Sequence, residues 1–160
     1  MLYNKLMKLT VIFFFILYSI NLYSNDFELE IMSASDGSET TIFNFSDNIT
    51  YRHFYNVQNW KDSLGDWGTL ECAGNHTIIK NEGTILKNYC KGLNKDGDIF
   101  WLMMDRNSSD FDAGVGKLKY RKGTGKFEKY EGTNCLYAIT FLSNGKGTFQ
   151  KAKCNFFKKS

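Results

Sequence analysis

Polar and apolar residues alternate along most of this chain with a period of two. Phe27-Glu-Leu-Glu-Ile-Met32 does so, and Ile49 to Val57 sorts Tyr51, His53 and Tyr55 onto one face and Arg52, Phe54 and Asn56 onto the other. Successive side chains of a strand point to opposite sides, so the pattern predicts half-buried strands. No stretch sustains the 3.6-residue period of an amphipathic helix. Strands are expected over 27–32, 41–45, 49–57, 68–79, 84–94, 98–105 and 115–122, with two more flanking Asn144-Gly145. Lys61 to Asp66 reads as a polar connection and Asn107 to Gly114 as a loop. Eight or nine strands joined by short links form an antiparallel meander. With no proline to blunt an exposed strand edge, closure into an eight-stranded barrel is the economical way to satisfy both edges.

Turn residues set the register. Asn-Gly favours a two-residue turn because both positions must accept positive φ. If Asn144 and Gly145 form the loop, opposed residues have numbers summing to 289, and Cys135 faces Cys154. Opposed Cα atoms in an antiparallel pair lie ~4.5–5.5 Å apart, within reach of a disulfide. Cys72 and Cys90 bracket Lys80-Asn-Glu-Gly83 in a similar way, provided that hairpin carries a bulge or a longer loop. The expected pairs are Cys72–Cys90 and Cys135–Cys154, with cross-pairing between the hairpins as the open alternative. Asp96-Gly97 marks another hairpin.

The first residues change the compartment. Lys5 and Lys8 precede the apolar run Leu9 to Leu17, and Leu22-Tyr23-Ser24 closes the segment on a small residue. That order reads as a secretory signal peptide over 1–24, since the run is short of the ~20 residues a spanning helix needs. Cleavage leaves a single β-barrel domain over 25–160 with no stable membrane anchor, exported to the periplasm or the cell exterior. Four cysteines suit that oxidising setting. Losing Lys5 and Lys8 lowers the formal charge from +3 to +1, which argues against nucleic acid as a partner. Lys117, Lys119 and Arg121 share a strand face and read as a solvated surface. No metal site is expected, because there is no C-x-x-C and His53 and His76 have no ligand-like spacing to the cysteines. The Lys95-Asp-Gly-Asp98 run lacks ligands at the first and last positions of a calcium loop. No cofactor is implied.

Gly114-Val-Gly116, Gly123-Thr-Gly125-Lys-Phe127 and Gly132 resemble the G-T-G-K-F signature of the allene oxide cyclase/dirigent-like group of β-barrels, over about residues 114 to 142. The resemblance implies an eight-stranded antiparallel barrel, hydrophobic or phenolic small molecules as ligands, and homo-oligomers. It carries over no catalytic residue, because the matching stretch is a structural loop. The residues themselves say that Gly123 and Gly125 permit a tight reversal, from which Phe127 can turn inward to plug one barrel end.

Candidate chemistry lies in the aromatic and imidazole groups. Tyr51, His53, Tyr55, Tyr89, Trp101 and Tyr137 offer stacking surfaces for an apolar or aromatic ligand, and His53 and His76 are the weak catalytic candidates. The expected role is non-catalytic binding of a small apolar ligand, or a structural envelope module. The alternative is an isomerase or cyclase in the barrel mouth, with a histidine as acid/base and a tyrosine as its partner.

Overall fold

The computed structural model describes residues 26–34, 39–109, 113–143 and 147–155. The expected signal segment 1–24 and the Asn144-Gly145 turn lie outside the described residues. Nine strands follow one another: β1 (Asp26–Ala34), β2 (Glu39–Ser46), β3 (Ile49–Asp62), β4 (Trp67–Ile79), β5 (Gly83–Asn94), β6 (Ile99–Ser108), β7 (Ala113–Gly123), β8 (Asn134–Phe141) and β9 (Gly147–Asn155). Sequence neighbours from β2 to β9 pair antiparallel, β9 pairs with β1, and β1 closes onto β3. The result is a closed eight-stranded antiparallel barrel plus one extra strand, β2.

β3 makes the closure. Its 14 residues are shared on one edge between two partners: Asn59 to Asp62 pair with β1, and Ile49 to Tyr55 pair with β2. The expected strand over 49–57 is therefore extended, and Lys61 and Asp62 belong to the strand. β6 likewise runs to Ser108.

The β8–β9 register has opposed numbers summing to 289, with Cys135 opposite Cys154, and Leu142 N–H donates to Gly147 O at 2.9 Å. Cys72 opposes Cys90 in β4–β5 without a bulge, because Lys80 to Glu82 form a three-residue loop with Asn81 at φ +65°. Both disulfides are formed, each with Cα atoms 4.1 Å apart. All four cysteines face inward and are buried. The protein is a disulfide-stapled β-barrel.

The two ends of the barrel differ. One is filled by rings: Phe100 is fully buried, with Phe127, Trp60 and Tyr120 centroids 4.7, 5.0 and 5.5 Å away. Phe127 and Tyr130 come from a 3₁₀ helix, Gly125–Tyr130, that folds under this end. Alternation gave no sign of that helix, although Phe127 plugs the barrel as expected. Gly125 starts the helix at φ +51°, where a side chain would strike the Asp98 carboxylate. A polar clasp holds the cap: Lys126 Nζ lies 2.9 Å from Asp66 and 2.8 Å from Asp96, and Asn94 Nδ2 donates to Asp66 Oδ2 at 3.0 Å. Burial alone would raise the Asp66 carboxyl, but the hydrogen bonds from Asn94 and Lys126 outweigh it and hold the group below its ordinary value.

Candidate ligand-binding pocket

Inward side chains at the opposite end are polar. Arg52, His76, Leu86 and Arg106 are successive Cα partners across β3, β4, β5 and β6, so one inner row carries two guanidinium groups. Arg106 is 2% exposed and Arg52 half-buried. Beside them lies a cavity of about 280 Å³, with Phe54, Leu86, Ile139 and Phe141 as its apolar wall. Asn56, Gln58, Asn88 and Gln150 supply amides. Three of these bond each other: Gln150 Nε2 donates to Gln58 Oε1 at 3.2 Å, and Gln58 Nε2 to Asn56 Oδ1 at 2.9 Å.

Two glycines of β7 make room for this arrangement. A Cβ at Gly114 would stand 3.0 Å from the Arg106 guanidinium, and one at Gly116 would stand 2.5 Å from the Tyr137 ring. Both side chains lie down across glycine on the inner wall, a close approach that any larger residue would obstruct. Tyr137 is 2% exposed, and its hydroxyl has no hydrogen-bond partner among the described residues; nor has Asn88 Oδ1. Burial pushes the Tyr137 hydroxyl up to about 12, with Arg106 offsetting part of the rise. The phenol is therefore a proton-bearing donor at neutral pH.

His76 reports on the surrounding charge. Burial, followed by the positive charges of Arg106 and Arg52, pushes it down to about 4. The neutral ring bonds Thr84 Oγ1 through Nε2. The unfolded chain, with an ordinary histidine value of 6.5, binds the proton more readily. The stabilising effect of a neutral His76 is therefore complete above pH 6.5 and is lost as pH falls from there through about 4. Discounted for partial solvation, the loss should be on the order of 2 kcal/mol. Urea titrations at neutral and mildly acidic pH should show stability falling more steeply with acid in the parent than in His76→Gln, which keeps the carboxylates but lacks the imidazole; an equal fall would refute the assignment.

Of the residues singled out from sequence, His76 and Tyr137 reach the cavity. Tyr51, His53, Tyr55 and Tyr89 stand exposed on the outer face, and Trp101 is half-buried there. Tyr55, Tyr89 and Trp101 do meet, in a shallow outer hollow beside Lys91 and Arg121. The alternation separates the faces as read, but the inner one is that of Arg52, Phe54 and Asn56. A wider outer groove of about 1040 Å³ crosses Val115, Lys117, Leu136 and Lys153, with no arginine among the described residues that line it. No family model, curated protein or solved structure matches this chain.

The pocket can hold an organic molecule by apolar contact and direct polar groups at it. Arg52 and Arg106, which carry its charge, were not singled out from sequence. The available signal was the Gly114/Gly116 pair, two glycines on one strand face, which marks close approach by a neighbour's side chain.

Proposed function

We propose that this protein is an exported barrel whose polar end holds a small organic molecule without transforming it. The observation that carries this reading is the asymmetry of the interior. One end is filled by aromatic rings, while the other keeps about 280 Å³ between an apolar wall and converging polar groups, close to the size of small-ligand sites. The two disulfides accord with an oxidising compartment. A relationship to the allene oxide cyclase/dirigent-like group is proposed on the same footing, resting on the G-T-G-K-F motif and the strand count.

The alternative, an isomerase or cyclase, draws on one observation: His76 lines the pocket with Tyr137. A general base works best with a pKa near the operating pH. His76, held near 4 and bonded to Thr84, is a weak base at neutral pH, and His53 lies on the outer face. The binding reading is therefore preferred.

Fluorescence titration of the mature, disulfide-intact protein with the neutral dye N-phenyl-1-naphthylamine tests it. Saturable, blue-shifted binding is expected, and Leu86→Trp, which fills the cavity, should weaken it by about 10-fold or more. Absence of saturable binding would leave the structural envelope role.

A further inference from the structure

We infer that the molecule held in this pocket is a small organic acid, its oxyanion head against Arg52 and Arg106 and its apolar body along Phe54, Leu86 and Ile139. The inference rests on the pocket being a ligand site, as proposed above, and specifies the class of ligand.

The placement of charge argues for it. The two arginines sit on one inner row, three strands apart, on a wall that curves around the barrel axis, so their side chains converge on the cavity. A guanidinium presents its N–H groups as a planar fork that matches an oxyanion in two-point contact. Arg106, at 2% exposed, lies away from bulk water, where charged contacts are least screened.

Tyr137 is the independent observation. Its side chain lines the same cavity, and its buried hydroxyl, a neutral donor, has no hydrogen-bond partner among the described residues. Burying such a group unmet is costly, and an oxyanion on the arginine side would accept from it. Three of the four amides, Gln150, Gln58 and Asn56, already form a chain with one another, which leaves Asn88 to meet water or a donor elsewhere on the ligand. A bare inorganic anion would leave the wall of Phe54, Leu86 and Ile139 without a partner, so the ligand needs an apolar body.

Isothermal titration calorimetry of the mature, disulfide-intact protein at pH 7 compares three probes: 4-phenylbutanoate, its neutral counterpart 4-phenylbutan-1-ol, and inorganic phosphate. The acid should bind about 10-fold or more tighter than the alcohol, as expected for a charge-assisted contact, and tighter than phosphate. Added salt should narrow the gap. Arg106→Met should bring acid and alcohol within about 2-fold by weakening the acid alone, and Arg106→Lys should restore part of the difference. Arg52→Met, at a half-buried position, gives the same comparison if the Arg106 variant fails to fold. An alcohol that binds as well as the acid, with the naphthylamine dye still bound, overturns the acid assignment and leaves the binding function standing. Dye binding without binding of either phenylbutyl probe also overturns it. If neither dye nor acid binds, both readings fall.

Discussion

Phe100→Ala should destabilise the barrel by about 3–5 kcal/mol, the range for truncating a fully buried phenylalanine in a packed core. Phe100 is 0% exposed and is the ring against which Trp60, Tyr120 and Phe127 all pack. It also lies over Gly92 on the neighbouring strand, where any side chain would overlap it. Removing it therefore opens a void in the middle of the aromatic end, where rigid neighbouring rings cannot close in. The 3₁₀ helix should lose its seat with it. Chemical denaturation should show the midpoint falling with the slope unchanged, and Phe149→Ala, at an outer position 40% exposed, should cost less than about 1 kcal/mol. A loss below about 1.5 kcal/mol at Phe100 would mean that the aromatic end is far looser than its ring contacts imply.

Reduction of both disulfides is the second large effect. Each closes a hairpin, at sequence separations of 18 and 19 residues, and the chain-entropy estimate for loops of that size is about 3 kcal/mol apiece. The bonds staple different strand pairs, β4–β5 and β8–β9, so their effects should largely add. Together they amount to much of the 5–15 kcal/mol that holds a typical domain folded. Cys72→Ala/Cys90→Ala and Cys135→Ala/Cys154→Ala should each lose about 2–4 kcal/mol in denaturant titrations, and the quadruple variant should lie near the folding threshold at 37 °C. If the quadruple variant stays as stable as the parent, the staples are dispensable and their link to an oxidising compartment weakens.

Strand positions and register were legible because each rests on local chemistry. The 289 register expected from the turn tolerances of Asn144-Gly145 is the one that pairs β8 with β9, and it brings Cys135 to Cys154. The period of two separated the faces of β3 correctly, yet it could not say which face is inside. A sequence reader assigns the inner face by hydrophobic contrast, and here the contrast runs the wrong way. Outward Tyr51 and Tyr55 look more core-like than inward Arg52 and Asn56, because the inner wall at that end is polar. At the aromatic end the contrast runs the right way, and Phe127 was read there as the inward plug, although Trp60, Phe100 and Tyr120 were not singled out from sequence. The 3₁₀ helix, six residues long, is too brief to establish a period. Shared pairing of β3 with β1 and β2 is a long-range matter that no local pattern encodes.

That shared pairing separates two clocks. Among the described residues β2 is hydrogen-bonded to β3 alone, and Thr40, one of its side chains, borders the pocket. A two-stranded ribbon held along one edge opens at far lower free energy than a closed barrel does. Amides of β2 should therefore exchange with deuterium well before those of β5 or β6, and a molecule would enter or leave past this ribbon while the stapled core stays shut. The residence time of the proposed guest would then follow the opening of β2 from β3, so that Phe100→Ala would shorten the lifetime of the fold many-fold and leave that of the guest untouched.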